Sequence, residues 1–407
     1  MAAAAVVPAW QLRPRGSGQG GTRQYNERVV LQAVRLAGDL AGAEIARRTG
    51  LTAQTVSLIT KRLLDDGLLV KRDPQRGKVG QPSVPLALNP DGAFAVGIKV
   101  GRRSMDLLLV DFTGAVRERW SLAYAYPDPA ALGAEIGLRL RDLRRKLGPA
   151  RRARVQGVGI ALPLSMGGWQ TLLDMPPNVA QAWAACDLRS DVAALTDWPV
   201  EQIKDTAAAT VAELVAGRGR SVKSFLYIFV DTFIGGGLVI DSHLSPGLNG
   251  NAGAVASLPL RLAAARGRAV PEQLLSVASL VGLERAYAAA GLDLAAIEGE
   301  QTLQAPWRSH TERWIGRAAP AIALAINSAA CLLDLGAVIV DGSFGRGLLG
   351  ALLSATETSL GRYSWEGVVR PQLLPGAIGS DARAIGAAML PLHANFAPDR
   401  DLFLKAG

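Results

Sequence analysis

From residue 26 to residue 66 the apolar positions fall in three short runs with helical spacing. Val29, Val30, Ala33, Val34 and Ala37 line one face of a first helix over 26–37. A second is expected over about 41–48. Thr52 can cap a third, over about 53–66, which Gly67 ends. On this third helix Val56, Ile59 and Leu63 fall on one face and pack inward. Gln54, Ser57, Leu58 and Lys61 take the opposite face, with Thr55 to one side. Between the second and third runs stands Thr49-Gly50-Leu51. Glycine supplies a positive-φ turn and the small Ala46 lets two helices touch, which is what a helix-turn-helix needs. The period then changes to that of strands over 68–72 and 83–88, around the loop 73–82. Residues 23–88 therefore read as a winged helix-turn-helix, preceded by an Ala-, Gly- and Pro-rich disordered arm over 1–22. The turn Asn89-Pro90-Asp91-Gly92 marks a domain boundary.

After that boundary, strands are expected over 94–100, 105–112 and 116–124. A helix over 129–147, a strand over 155–162, a helix near 187–196, a strand over 200–203 and a helix over 205–215 complete an α/β layer. A similar hairpin starts over 224–230 and 236–242, and a long helix near 312–333 and a strand over 337–340 follow. The recurrence implies two related lobes, 91–215 with about 383–400 and 216–382, and a cleft between them where ligands usually bind.

Charge adds a function class. Residues 1–90 hold 13 Lys and Arg against 6 Asp and Glu, whereas the remainder holds 31 against 29. The basic excess sits on the segment with the helix-turn-helix, as phosphate neutralisation would require. Gln54 can bond adenine, Thr55 and Ser57 several base edges, and Leu58 either a thymine methyl group or a wing or partner. Lys61, Arg62, Arg72, Arg76 and Lys78 are the candidates for phosphate. Arg13, Arg15 and Arg23 are candidates too, although a solvated tail is the commoner fate of such residues.

Other chemistry is thinly represented. Cys186 and Cys331 are the two cysteines, with no Cys/His cluster, so neither a disulfide framework nor a metal site is indicated. No cofactor is expected. No apolar run reaches the ~18–20 residues of a membrane span, and the first ten residues lack a basic n-region. The reading is a soluble cytoplasmic protein.

These motifs resemble the ROK family of repressors, unknown reading frames and kinases, in its transcriptional-regulator branch. The N-terminal matches are Gly21-Thr22…Asn26, Ala43-Glu44-Ile45-Ala46…Thr49-Gly50-Leu51-Thr52…Thr55-Val56-Ser57 and Asp66-Gly67-Leu68. In the rest of the chain they are Gly97-Ile98…Gly101, Gly157-Val158-Gly159-Ile160…Pro163, Pro177-Asn178, Asp205, Thr232…Gly235-Gly236-Gly237, Gly247…Asn249-Gly250…Ala252-Gly253 and Ala384-Ile385-Gly386-Ala387-Ala388. The resemblance implies a winged helix-turn-helix joined to an actin-like domain of two ribonuclease-H-like lobes. It also implies sensing of a sugar or sugar phosphate, and dimers or tetramers on an inverted repeat of double-stranded DNA, with repression of carbohydrate-related genes.

The departures bear on catalysis. Where the family's kinases have Asp-x-Gly-Gly-Thr, this chain has Lys99-Val100-Gly101-Arg102-Arg103. Small residues are needed where backbone amides approach phosphate, so ATP cradling is not expected, although the arginines can hold another anion. Asp205 matches the kinase base, yet a lone Asp at a helix start is more often an N-cap. The sugar-holding Glu and His positions are Ala254 and Ser257, and the zinc motif after them is missing. Asn178 and Asp205 are the sugar-side residues that remain. Trp169 and Trp183 can stack on a sugar ring or serve as core aromatics. In the wing, Lys78-Val79-Gly80-Gln81-Pro82 replaces the family's Arg-Gly-Arg-Pro, so Gln81 stands where an arginine would enter a minor groove. Three readings stay open: a regulator with an inactive kinase-like domain, an active sugar kinase with a DNA-binding appendage, and a DNA-binding protein whose second domain serves assembly alone.

Overall fold

The computed structural model describes residues 19–74, 83–164, 166, 175–262 and 271–398. Arg13, Arg15, Arg76, Lys78, Gln81 and Trp169 lie outside the described residues. At the N-terminus, α1 (Gln19–Ala37), α2 (Gly42–Thr49) and α3 (Ala53–Asp65) precede β1 (Leu69–Lys71) and β2 (Leu86–Leu88), which pair antiparallel. The turn before α3 forms as its residues dictate. Gly50 has φ 71 and its N–H donates to Ala46 O, closing α2, and the Thr52 hydroxyl accepts from the Thr55 N–H at 3.2 Å. α1 begins at Gln19 rather than near Asn26, extended by about two turns in which Arg23 pairs with Glu27.

Val56, Ile59 and Leu63 are buried and meet Val30, Leu31, Val34 and Ile45 in one core. That core does not stop at the domain boundary. It continues into Val110, Phe112, Met389 and Leu392 of the following domain. Hydrogen bonds fasten the same seam: Asn89 Nδ2 donates to Gly67 O at 2.7 Å, and Arg154 Nη1 to Gly92 O at 3.0 Å.

The first lobe consists of β3 (Phe94–Val100), β4 (Ser104–Asp111), β5 (Val116–Ala123), α4 (Pro129–Arg152), β6 (Val155–Leu162), α5 (Pro177–Ala185), α6 (Leu188–Ala193) and β7 (Val200–Lys204). α7 (Asp205–Ala216) leads to the second lobe. There β8 (Phe225–Val230), β9 (Gly235–Ile240), β10 (His243–Ser245), α8 (Leu274–Ala278), α9 (Leu280–Ala289), α10 (Arg308–Leu332), β11 (Ala337–Gly342), α11 (Arg346–Leu360) and β12 (Gln372–Pro375) follow. α12 (Ala382–Phe396) returns to the first sheet.

The sheets run β5-β4-β3-β6-β7 and β10-β9-β8-β11-β12. In each, the central strand pairs antiparallel with a hairpin partner and parallel with the strand after the crossover. The recurrence visible in the sequence is thus a repeated topology, although the repeats share little residue for residue. α4 breaks where its expected end lay: Gly148 takes φ 65 and ψ 176, and Pro149 starts a last turn. α10 is long and apolar enough to cross a membrane by length and composition alone, a run the sequence reading passed over. Its Trp314, Ala318, Ile322 and Ile326 pack in the second lobe's core.

α7 and α12 lie between the sheets. Thr206 and Thr210 of α7 press on Gly235 and Gly237 of β9, while α12 crosses Gly97 and Gly159 of β3 and β6. Where the helices cross, a Cβ on Gly386 would collide with the carbonyl oxygen of Ala208, so only glycine permits this approach.

Candidate nucleic-acid interface and interlobe cleft

α3 presents the face its spacing predicts. Gln54, Ser57, Leu58 and Lys61 are exposed, Leu58 at 63% of its surface, and no part of the described chain covers it. Thr55 is half-buried, and its hydroxyl shares a hydrogen bond with that of Thr52 at 2.8 Å. It belongs to the helix cap as much as to the reading face.

The basic residues divide in a way that composition could not show. Arg62 was expected at phosphate, but its Nη1 reaches Glu27 of α1 at 2.5 Å, so it ties two helices of the reader together. Arg72 lies 3.6 Å from Asp39. Arg47 and Arg48 both bond Glu44, and these hydrogen bonds pull its carboxyl down to about 2. Among the described residues, Lys61 and Lys71 make no ion pair. Lys61 is therefore the α3 cation that no carboxylate engages among the described residues.

The interlobe cleft is arranged differently. Asp205 is the first residue of α7 rather than its cap, a role that falls to the backbone of Lys204; its Oδ1 accepts from the Thr206 N–H at 2.8 Å. Its Oδ2 lies 3.9 Å from Nη1 of Arg383, the second residue of α12. Arg383 is 6% exposed, pairs closely with Asp231 at the end of β8, and donates from Nη2 to Ser343 Oγ at 3.3 Å. Lys99, also buried, bonds Ser104 at 2.5 Å and Asp106 at 3.1 Å. Arg102 lies over the Phe233 ring at 4.7 Å, joining the first lobe to the second.

Electrostatics bind the cluster together. Burial pushes the Asp231 carboxyl up, but Arg383 and Lys99 outweigh it and hold the group below its ordinary range. Burial and the nearby Arg383 lower the Lys99 ammonium. Burial, with Asp231 adding to it, raises the Glu284 carboxyl. Of the two arginines in the Lys99–Arg103 run, Arg102 thus lies on Phe233 and Arg103 Nη1 donates to Ala125 O at 2.8 Å.

The sugar-side candidates lie on different elements, α5 and α7. Asn178 is exposed in the first turn of α5, and among the described residues no hydrogen bond or ion pair links it to Asp205. Trp183 is 8% exposed and donates from Nε1 to Pro127 O at 2.8 Å, which makes it a core residue. Ser257 is exposed. The legs of the segment after it meet through backbone bonds, Leu260 N to Glu272 O at 2.8 Å and Leu274 N to Leu258 O at 3.0 Å.

Sequence reading missed Asp231 and Arg383. Both adjoin motifs it did notice, Thr232…Gly237 and Ala384…Ala388. A charged residue inside such apolar, glycine-rich surroundings must find a buried partner, and that was the available signal.

Comparison with known proteins agrees with this geometry. The ROK family model matches residues 95–394, and the MarR family model matches residues 23–78. An uncharacterized protein, y4fQ, of Sinorhizobium fredii is 25% identical over 378 residues, covering 91% of both chains. A xylose repressor of Caldicellulosiruptor bescii is 26% identical over 234 residues, 57% of this chain and 58% of its own length. Among solved structures, a ROK family transcriptional regulator described as a homologue of the E. coli MLC protein superposes with a TM-score of 0.65 at 20% identity, over 94% of this chain and 98% of that one.

Proposed function

The chain belongs to the ROK family, and from that premise we propose that it is a sequence-specific DNA-binding transcriptional regulator of the repressor kind, acting in the cytoplasm on carbohydrate-related genes. One observation carries the reading: a capped, well-packed helix-turn-helix presents Gln54, Ser57, Leu58 and Lys61 on an exposed face. Two such readers, set by a dimer or tetramer of the C-terminal domain, bind half-sites of an inverted repeat about one helical turn apart. A sugar or sugar phosphate in the cleft changes lobe closure, provided that it binds the two states unequally. Purified protein should prefer DNA from its own promoter over random DNA at ~150 mM salt, where non-specific binding is weak. Equal affinity for both would sink the proposal.

The kinase-like domain is catalytically inactive in this reading. Lys99 and Arg102 fill the phosphate side, and Arg383 stands beside the carboxylate that a sugar hydroxyl would need as base. One observation favours an active kinase instead: Asp205 opens α7 at the cleft, close to the glycine-rich Gly235–Ile240 strand. A coupled assay with ATP and a panel of hexoses decides between them. Turnover that Asp205→Asn abolishes would establish the kinase. If no sugar or sugar phosphate shifts the melting temperature, the domain serves assembly alone.

A further inference from the structure

The two helices between the sheets reach from the cleft to the reader. At the cleft end, Asp205 opens α7 and Arg383 opens α12, and Arg383 holds Asp231 of the second lobe. At 1.5 Å per residue, α7 is about 18 Å long and α12 about 22 Å. Just beyond the far end of α7, Arg220 Nη2 donates to Arg35 O at 3.0 Å and Leu36 O at 2.6 Å. These are carbonyls of the last turn of α1, which have no partner within their own helix. At the far end of α12, Phe396 packs edge-on against Phe112 at 4.7 Å, and Arg35 of α1 lies over that same Phe112 ring at 5.0 Å. Arg28 Nη1 donates to Ala397 O at 3.5 Å, and Met389 and Leu392 share a core with Val30, Leu31 and Val34.

We propose that α7 and α12 form a two-helix strut coupling the Arg383–Asp231 contact in the cleft to the seating of α1, with Arg220 as the positioning residue that ties the reader to the strut. The inference rests on the reading of the chain as a two-lobed regulator and adds the route by which the cleft acts on the reader.

The mechanics follow from where the helices touch. α7 packs on the second sheet and α12 on the first, so a change of lobe angle is taken up between them. Their backbone contact, Gly386 against Ala208, lies in the cleft-side half of both helices. A tilt about that contact is therefore larger at the reader end. With Arg383 on Asp231, the start of α12 is held to the second lobe and Arg220 stays on the end of α1. With that contact parted, the far ends move and the α1 cap loosens.

Hydrogen exchange on the full chain tests the strut without a ligand, using Asp231→Asn, Arg220→Gln and the double variant. Asp231→Asn should speed exchange over 33–38 by about fivefold or more, the lower end of ordinary coupling between sites. In the Arg220→Gln background it should add less than about twofold, because the connection is already cut. Coupling is reciprocal, so Arg220→Gln should also speed exchange over 231–236. Arg220 is exposed, and its replacement leaves the core intact. If Asp231→Asn acts around the cleft alone, or Arg220→Gln over 33–38 alone, the strut is wrong. Should Asp231→Asn fail to fold, the reciprocal arm with Arg220→Gln decides. A chain that shows this exchange pattern but ignores its own promoter would overturn the DNA-binding reading and leave the strut standing, so the two failures differ.

Discussion

The reading face of α3 and the floor of the interlobe cleft both carry polar side chains, and they treat them in opposite ways. On α3, Gln54, Ser57 and Lys61 point into solvent with their hydrogen-bonding capacity uncommitted within the described chain. In the cleft, Lys99, Asp231 and Arg383 are taken from water and matched with one another, with Asp106, Ser104 and Ser343 as further partners. Removing a charge from water costs several kcal/mol per ion, so buried groups must be paired whether or not a ligand ever arrives. An exposed lysine faces no such demand. A face left open in this way is free to meet a partner, whereas the buried charges of the cleft are already paired, although Arg383 Nε is buried without a hydrogen-bond partner.

The largest expected effect lies in the cleft. Arg383→Met takes from Asp231 and Asp205 the cation that bonds Asp231 and lies beside Asp205, and should cost about 3–5 kcal/mol in a denaturant melt. Adding Asp231→Asn should restore part of that loss. The Asp231 carboxyl is held below its ordinary range, so its contribution is complete above a pH of about 4 and disappears as pH falls further. Asp231→Asn should flatten the stability profile in that acid window. A loss below about 1 kcal/mol for Arg383→Met would mean that the cleft is not closed on itself and that the contrast with α3 is false.

On α3 the effects should appear in DNA binding more than in stability. Gln54→Ala should relax preference at one base position by about 1–3 kcal/mol, measured across single-base variants of the operator. Lys61→Ala should weaken all sites alike and reduce the salt dependence by about one counterion. A uniform loss from both would mean that α3 is docked on DNA in some other way. Thr52→Ala should cost the fold about 1 kcal/mol, the ordinary value for a lost helix cap, and should free the hydroxyl of Thr55.

Much of this was legible in the sequence, and the reasons are local. Thr52, Gly50 and the Val56, Ile59, Leu63 spacing specify α2, its turn and α3 because caps, positive φ and period act within a few residues. The hairpins of both lobes were legible for the same reason. The strands β10 and β12 and the helices α5, α8, α9, α11 and α12 were not. The apolar residues of α12 are largely small and buried on several sides, so its run carries little helical contrast. Residues escaped notice where a partner lies far along the chain. Arg383 meets Asp231 and Arg220 meets α1 only after the sheets are assembled, and no spacing rule carries that information. The basic count was likewise correct as a sum, yet silent on which cations already have carboxylates.

Arg62 is the residue on which that last point can be settled. Its charge sits on the recognition helix, but its guanidinium is 2.5 Å from Glu27, with 40% and 19% of the two side chains exposed. If Arg62 held a phosphate, Arg62→Ala would lower the salt slope by about 0.9, and Glu27→Ala would release the arginine and strengthen binding. If it is a tether, both substitutions remove the same contact between α1 and α3. Each should then cost about 0.2–1 kcal/mol of stability, the double variant should cost no more than either single one, and the salt slope should stay unchanged. The tether outcome places the reader's electrostatic contact on Lys61 and makes Arg62 part of the frame that aims it.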